Sequence, residues 1–286
     1  MPAPLQLRQA SAAAYYSTQL RAELGSLNRA NALKHQLPHV ESYGAAPVIV
    51  YEPYGSPPRH GNFSDPAYAA ILAHPQWQKR FAKVHTSARQ ALPKSDRRWR
   101  ELDSSNSSDA LLMNIFCWPG VCEERALLLQ LGLDAPAEPQ FGHKARVPLK
   151  DGSVDRTEVD MRLGPLLVEA KLTESGFQTK SAAVVNRYRD FARVFDRSLL
   201  PKLKAKYDGY QLIRNVLAAH ATGARFCLMH DARRPDLREA WYGVLSAVKS
   251  AELRTRCTVL TWQELARALP EALRDFLQGK YGIVPA

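Results

Sequence analysis

Alternation of apolar and polar residues predicts two short strands near the middle of the chain. From Glu158 to Leu163 the two kinds of side chain alternate one by one, which is typical of a half-buried strand. A Gly-Pro turn follows, and the next apolar run places Glu169 and Lys171 on one face of a second strand. A tight hairpin would therefore bring Asp160 alongside Glu169 and Lys171.

The rest of the pattern predicts helices on both sides of a small sheet. Predicted helices cover 9–35, 75–91, 105–117, 121–131, 179–196, 208–221 and 235–250, a further one starts at Asp65, and the last ends near 278. Predicted strands cover 47–51, 144–149, 156–163, 166–172, 224–230 and 257–262. This order is that of an α/β fold with a mixed sheet flanked by helices. We expect a mainly helical N-terminal extension over residues 1–100 and a core domain over 101–286.

The charges at the hairpin point to a bound cation. Two carboxylates and an ammonium beside an apolar sheet are costly to hold together, because like charges repel and all three groups desolvate poorly. A divalent cation between Asp160 and Glu169 removes that cost. The ligands are all hard oxygens, which suits magnesium.

This arrangement resembles the PD-(D/E)XK nuclease superfamily, whose signature is an acidic residue, a variable spacer and Glu/Asp-x-Lys on the adjoining strand. The resemblance implies that Asp160, Glu169 and the backbone carbonyl of Ala170 bind Mg²⁺, for which Mn²⁺ can substitute. It also implies that Lys171 orients or activates the attacking water. Gln211, on the predicted helix after the strand pair, is similar to the extra polar residue that several branches carry there.

Three further stretches resemble a group of restriction-endonuclease-like bacterial proteins. SSNSSDALLMNIFCWPG at 104–120 is similar to the helix before the catalytic sheet, and Leu172–Glu174 to the continuation after the lysine. LTWQEL at 260–265 is similar to the final strand running into a helix. The resemblance implies a restriction-endonuclease-like fold over about residues 100–270. Val159 departs from the pattern, since proline often precedes the first acidic residue.

Five more residues are additional candidates for the site, each with a simpler interpretation beside it. Carboxylates near a helix start often only stabilise the helix dipole, a helical Asn within an apolar run usually packs or hydrogen-bonds, and strand or rim carboxylates are often solvated. The five are Glu123, Glu124, Asn114, Glu158 and Glu174.

The formal charge of +11 indicates a polyanionic partner, because the excess is concentrated in two segments. Residues 79–100 carry eight basic and one acidic side chain, and residues 180–206 carry eight basic and two acidic ones. Clustered cations bind phosphates and release condensed counterions. Solvated helix faces are the simpler alternative for either segment alone. In the second segment the candidate nucleic-acid-binding residues are Lys180, Arg187, Arg189, Arg193, Lys202, Lys204 and Lys206.

Other features narrow the class of protein. No Gly-rich phosphate-binding loop occurs, which argues against a nucleotide-driven motor. Cysteines at 117, 122, 227 and 257 lack zinc-site spacing and are expected to be free thiols. No apolar run is long enough to cross a bilayer, and the N-terminal residues lack a signal-peptide pattern, so we expect a cytoplasmic bacterial-type protein without membrane contact.

The expected function is a magnesium-dependent endonuclease, a hydrolase acting on phosphodiester bonds, with DNA as the favoured substrate and RNA as the second choice. Two alternatives stay open. One is a catalytically inactive nuclease-fold module that binds nucleic acid in a larger assembly. The other is a metal hydrolase or toxin-like effector acting on another phosphodiester. A homodimer is compatible with the sequence.

Overall fold

The computed structural model describes residues 5–42, 47–83 and 100–286. The end of the helix predicted over 75–91 and part of the basic segment 79–100 fall on residues 84–99, outside the described residues.

The described α-helices vary in length from one turn to eight. They are α1 (Leu5–Lys34), α2 (Asp65–Ala73), α3 (Pro75–Gln78), α4 (Ser108–Phe116), α5 (Arg125–Leu131), α6 (Ala182–Val185), α7 (Phe191–Val194), α8 (Tyr210–Thr222), α9 (Pro235–Leu245), α10 (Ala251–Thr255), α11 (Trp262–Ala266) and α12 (Glu271–Tyr281). Short 3₁₀ helices cover Lys79–Ala82, Glu101–Asp103 and Val121–Glu123.

The described strands are mostly short. They are β1 (His39–Glu41), β2 (Ile49–Tyr51), β3 (Pro53–Tyr54), β4 (Arg59–His60), β5 (Pro139–Lys144), β6 (Val147–Pro148), β7 (Val154–Asp155), β8 (Glu158–Leu163), β9 (Leu166–Ala170), β10 (Lys180–Ser181), β11 (Lys202–Leu203), β12 (Lys206–Tyr207), β13 (Arg225–His230) and β14 (Cys257–Thr261).

The chain divides into two compact units. Unit 1 comprises Met1–Ser17 and Gln140–Thr261, and unit 2 comprises Thr18–Pro139 and Trp262–Ala286. The predicted division into an extension of residues 1–100 and a core of residues 101–286 stays a prediction. None of the helices in the described part of the chain combines the length and the apolar composition that a membrane crossing requires.

Unit 1 is built on a five-stranded mixed sheet with the strand order β14-β13-β9-β8-β5. β8 and β9 form the predicted antiparallel hairpin, while β13 lies parallel to both β9 and β14. Helices flank this sheet, so the predicted α/β class with a mixed sheet is confirmed. The hairpin predicted around the Asp-Gly turn also forms, but as a separate two-stranded sheet of β6 and β7.

Helix α8 covers one face of the sheet and forms the centre of the core of unit 1. It begins after Gly209 and ends before Gly223, and both glycines have a positive φ that stops the helix without steric strain. Its buried face packs in one apolar cluster with β9, β13 and α9, which includes Ile213, Val216, Leu217, Leu167, Phe226, Leu228 and Trp241.

Two of the sequence-based elements are wrong. The strand predicted over 144–149 begins earlier, at Pro139, and breaks at Arg146, which has a φ of 55°. The helix predicted over 179–196 is replaced by β10, α6 and α7. The backbone explains this, because Lys150 N–H binds the Arg187 carbonyl and Arg189 N–H binds the Pro148 carbonyl. The Arg187 carbonyl and the Arg189 amide therefore bind the segment of the β6–β7 hairpin and cannot form the hydrogen bonds of a helix.

Unit 2 is mainly helical, with two small antiparallel pairs, β1–β2 and β3–β4. Ser107 starts α4 by accepting a hydrogen bond from the Ala110 amide, as expected for an N-cap serine. All four cysteines of the chain are free, as predicted.

Candidate active site

The pairing of β8 with β9 brings Asp160 and Glu169 to the same end of the hairpin. The ordered pairs run from Leu163–Leu166 to Met161–Val168, and one step further along both strands lie Asp160 and Glu169. Opposed residues of an antiparallel pair project to the same face. Asp160 Oδ2 accepts a hydrogen bond of 2.8 Å from the Ala170 amide, which ties this carboxylate to the second strand.

Glu169 and Lys171 form a buried ion pair. Lys171 Nζ lies 2.7 Å from Glu169 Oε1. Glu169 is 1% exposed and Lys171 is 6% exposed, whereas Asp160 is only half-buried. The site is therefore open to solvent at Asp160 and closed at Glu169.

Helix α8 supplies two side chains that the sequence analysis did not single out. Asn215 Nδ2 donates a 2.7 Å hydrogen bond to Glu169 Oε2. Arg214 donates to Asn215 Oδ1 from Nη2 at 3.0 Å and to the Glu158 carbonyl from the same nitrogen at 2.9 Å. Asn215 is fully buried and Arg214 nearly so. The chain of contacts Arg214–Asn215–Glu169 fixes the carboxylate from the helix side. In the sequence, both are recognisable as polar residues within the apolar run that forms α8.

The electrostatics of the site keep both members of the ion pair charged. Burial raises the pKa of Glu169, but the charges of Lys171 and Arg214 outweigh it and hold the pKa below its ordinary value. Burial lowers the pKa of Lys171, yet Glu169, Glu174 and Asp160 together raise it above its ordinary value. All three carboxylates thus act on one ammonium group.

Glu174 and Glu158 border this arrangement. Glu174 Oε2 accepts a 2.6 Å hydrogen bond from the Leu172 amide, and its carbonyl accepts one of 2.8 Å from the buried Arg234. Glu174 is half-buried and belongs to the electrostatic environment of Lys171. Glu158 has an exposed side chain and contributes its carbonyl to Arg214.

Gln211 lies one turn before Asn215 on the same side of α8. Its backbone amide donates to the Phe177 carbonyl at 3.0 Å. Its half-buried side chain makes no hydrogen bond within residues 5–42, 47–83 and 100–286, so the contact with Glu169 comes from Asn215 instead. A role for Gln211 stays a prediction.

The three other additional candidates belong to unit 2. Asn114 is fully buried, accepts the Ser64 amide at 2.8 Å and donates to the carbonyls of Asn62 and Ala110. These contacts agree with the simpler interpretation of a residue that fastens local structure. Glu123 and Glu124 are exposed at the start of α5, and Glu124 makes no side-chain cap there.

The seven candidate nucleic-acid-binding residues all have exposed side chains. Lys180 and Lys202 flank Tyr207 in a three-stranded sheet with the order β10-β12-β11, and Lys206 lies on its central strand. Lys204 lies between β11 and β12 with a φ of 55°. Arg187 and Arg189 each face an acidic neighbour, at 3.6 and 3.0 Å. The predicted cationic segment is therefore a surface of unit 1.

The residues at the hairpin fit a magnesium ion only in part. Among the described residues no group of three or more His, Cys, Asp and Glu side chains is arranged to hold a metal. Glu169 Oε1 is buried without a well-aligned hydrogen bond, although Lys171 Nζ lies 2.7 Å away. This oxygen and Asp160 are the available carboxylate ligands. Two carboxylates suffice for Mg²⁺, which usually keeps several of its waters.

The mixed sheet flanked by helices defines the class as restriction-endonuclease-like. A family model described as "Restriction Endonuclease associating with ARP" matches residues 27–282, and the chain belongs to this family. The match confirms the predicted restriction-endonuclease-like relationship and extends it to residues before 100. No curated protein and no solved structure matches the chain significantly.

Proposed function

We propose that this protein is a metal-dependent endonuclease of the PD-(D/E)XK type, which hydrolyses phosphodiester bonds in DNA or, as the second choice, in RNA. One observation carries the proposal. Asp160 and Glu169 each lie one residue beyond the last ordered pair of the β8–β9 hairpin, with Lys171 at 2.7 Å from Glu169, in a member of a restriction endonuclease family.

Asp160, Glu169 and the carbonyl of Ala170 are the groups that would hold Mg²⁺. When bound, such an ion polarises the scissile phosphate and lowers the pKa of a coordinated water. Asp160 is half-buried, so a substrate can reach it, whereas the buried Glu169 is held in place by Asn215. Because its orientation is fixed before substrate binds, little reorganisation is needed during the reaction.

Lys171 acts as a hydrogen-bond donor in this proposal. Its ammonium group contacts Glu169 Oε1 and lies 5.7 Å from the centre of the Phe177 ring, which limits its freedom. A fixed cation beside the carboxylates can orient the attacking water and offset the negative charge that grows on the phosphate in the transition state. Gln211, in the first turn of α8, is the proposed second residue that contacts this water.

Exposed cations of unit 1 are proposed to bind the nucleic-acid backbone. Lys180, Lys202 and Lys206 lie close together on the β10-β12-β11 sheet, and their charges are not cancelled by ion pairs among the described residues. Backbone contacts of this kind give affinity that falls with salt and does not depend on base sequence.

The first test is a cleavage assay on supercoiled plasmid, single-stranded DNA and RNA with Mg²⁺, Mn²⁺ or EDTA. We expect cleavage of DNA with either metal and none with EDTA. Asp160→Asn serves as the matched inactive variant, which excludes a contaminating nuclease. Failure of the wild-type protein to cut any of the three substrates with either metal would contradict the proposal.

One observation favours a second candidate, a nuclease-fold module that binds nucleic acid without cutting it. Both oxygens of Glu169 already face protein groups, and the residue is 1% exposed. In this case the protein would bind DNA or RNA with a strong salt dependence and the same affinity in Mg²⁺ and EDTA. The same substrates in a binding assay therefore separate the two functions.

A further inference from the structure

Unit 1 contains a second feature near the hairpin, a cleft of about 300 Å³. The β6–β7 hairpin forms one wall and the segment after α6 forms the other. The residues that matter for its chemistry are Asp155, Arg156, Arg187, Tyr188 and Tyr210. None of them belongs to the metal-binding arrangement described above.

The floor of the cleft is a fixed set of hydroxyl and carboxylate groups. Tyr188 donates its hydroxyl to Asp155 Oδ2 at 2.5 Å, and the hydroxyls of Tyr188 and Tyr210 lie 2.8 Å apart. Asp155 Oδ1 accepts the amide and the hydroxyl of Thr157. Since Asp155 takes three hydrogen bonds, its negative charge is largely satisfied from within the protein.

The rim of the cleft is positively charged. Arg156 is exposed and makes no ion pair within the described part of the chain. Arg187 is 61% exposed on its side chain, and its only acidic neighbour in the described residues, Asp151, is 3.6 Å away and equally solvated. Lys180 Nζ lies 5.7 Å from the centre of the Tyr210 ring. Two weakly held guanidinium groups thus face a shared opening.

The cleft lies close to the hairpin site along the chain and through Arg214. Asp160 follows Asp155 by five positions, which limits their Cα distance to about 17 Å. The buried Arg214 side chain connects the two places, because it donates to Asn215, the hydrogen-bond partner of Glu169, and to the carbonyl of Glu158, three residues after Asp155.

We propose that this cleft is a subsite for the backbone of the substrate strand, in which Arg156 and Arg187 bind a phosphate group. Each strand of a duplex carries one phosphate per 3.4 Å of axis, so this phosphate lies within about five nucleotides of the scissile bond. Guanidinium groups bind phosphate through paired charge-assisted hydrogen bonds. The inference rests on the proposed nuclease function. It adds that the nucleic-acid strand runs from the Asp160–Glu169 site towards the cleft beside the β6–β7 hairpin.

The test compares Arg156→Ala, Arg187→Ala and the double variant with Arg254→Ala. Arg254 is an exposed arginine of α10 that does not line the cleft and makes no ion pair among the described residues, so it controls for the loss of one charge. Binding is measured in EDTA by fluorescence anisotropy with a duplex oligonucleotide at several salt concentrations. Thermal unfolding of each variant checks that the fold is intact.

We expect the double variant to bind about tenfold more weakly than Arg254→Ala. Its slope of log K against log salt should fall by about 0.9 for each phosphate that the variant no longer neutralises. A series of oligonucleotides is compared in which one phosphate at a time is replaced by an uncharged methylphosphonate. One replacement within five nucleotides of the cut should weaken binding by the wild-type protein. The same replacement should not change binding by the double variant.

The outcomes separate the subsite from the function itself. If the wild-type protein cuts DNA but the double variant and Arg254→Ala have equal affinity and equal salt slopes, the subsite is wrong and the nuclease proposal stands. If the wild-type protein neither binds nor cuts any nucleic acid, both fail together. If it binds without cutting and the variants differ as expected, the subsite holds in a binding module.

Discussion

Asn215 holds Glu169 through a hydrogen bond of 2.7 Å that joins helix α8 to strand β9. Both residues are buried, and Asn215 is itself fixed by Arg214. A carboxylate inside a protein needs partners for its charge. Here the sheet supplies the cation Lys171 and the helix supplies the amide, so the carboxylate is stable in the fold before any ligand binds.

Replacement of Asn215 should therefore destabilise the protein. Asn215→Ala leaves Glu169 Oε2 without its donor, and we expect a loss of about 1–3 kcal/mol in the free energy of unfolding. Asn215→Asp should cost more at pH 7.5, because it adds a second buried carboxylate beside the first. Its deficit should shrink at pH 5, where one of the pair takes up a proton. Urea denaturation at both pH values measures this, and equal deficits of Asn215→Asp at the two pH values would contradict it.

The hairpin was predictable from sequence because its signal is local. Alternation with a period of two residues fixes which side chains share a face, and the Gly-Pro turn fixes the register of the two strands. From these alone Asp160, Glu169 and Lys171 could be placed together. Asn215 could not, because its contact with Glu169 depends on how α8 docks onto the sheet.

The segment around Tyr188 shows the opposite case. Its composition favours a helix, yet its main chain pairs with the β6–β7 hairpin and its hydroxyl binds Asp155, 33 residues earlier. Tertiary hydrogen bonds of this kind outweigh intrinsic helix preferences, which amount to less than about 1 kcal/mol per residue. Sequence periodicity contains no information about such distant partners.

Asp160→Asn should abolish metal-dependent cleavage while leaving the fold intact. Asn can still accept the Ala170 amide through its side-chain oxygen, and position 160 is half-buried. The lost charge weakens metal binding, and a loss of several kcal/mol in transition-state stabilisation corresponds to roughly a thousandfold slower cleavage. Cleavage rates and thermal unfolding are measured together. A variant with unchanged folding and more than a tenth of the wild-type rate would exclude Asp160 as a ligand.

Lys171 is a poorer target for a clean catalytic test, because it stabilises the fold. Lys171→Met leaves Glu169 buried without its main cation and should cost about 3–5 kcal/mol. The double variant Glu169→Gln, Lys171→Met should lose less than Lys171→Met alone. A double-mutant cycle by urea denaturation measures the coupling, and additive losses would show that the two residues do not form a stabilising pair.

The pH dependence of Lys171→Met has a defined sign. In the wild type the pKa of Glu169 is held below its ordinary value. The ionised side chain therefore adds to the free energy of unfolding above about pH 4.5, and this addition is lost as the pH falls. Without Lys171, burial should raise the pKa of Glu169 above its value in the unfolded chain. The free energy of unfolding of this variant should then fall as the pH rises. We therefore expect the deficit of Lys171→Met to shrink between pH 7.5 and pH 5.5. A deficit that grows over this range would contradict the burial argument.

Gly61 is required by its contact with Tyr51 in unit 2. A Cβ at position 61 would lie 2.3 Å from Tyr51 Cδ1, and the Tyr51 ring is buried and hydrogen-bonded to Asn28. We expect Gly61→Ala to cost about 1–3 kcal/mol through overpacking. Gly279→Ala is the matched control, because position 279 has open space around it in α12 and should gain about 0.5–1 kcal/mol. Thermal unfolding that shifts equally for both variants would contradict this difference.

Lys280 is a buried lysine of unit 2 whose hydrogen-bond acceptors among the described residues are neutral oxygens. It is 2% exposed, donates to Asn28 Oδ1 at 2.7 Å and lies 4.3 Å from the centre of the Tyr51 ring. No carboxylate pairs with it within the part of the chain that the structure describes. Burial therefore lowers the pKa of Lys280 well below its ordinary value, although the ring attracts the cation.

This lowered pKa predicts a stability that rises with pH. Between the folded pKa of Lys280 and about 10.5, the unfolded chain binds more protons than the folded chain does. Each pH unit in that range should add up to about 1.4 kcal/mol to the free energy of unfolding, and the gain is lost as the pH falls. Lys280→Met should remove this slope. Urea denaturation at pH 7 and pH 9 measures it.

Lys34→Met is the control for this comparison, since Lys34 is an exposed lysine of the same unit. It should keep the wild-type difference in stability between pH 7 and pH 9, whereas Lys280→Met should show a smaller one. The comparison cancels the titration of all other groups, because they are common to the three proteins. If Lys280→Met and Lys34→Met gain equally on going from pH 7 to pH 9, Lys280 is charged in the folded protein throughout this range. The attraction of the Tyr51 and Tyr281 rings would then exceed the penalty of burying the ammonium group.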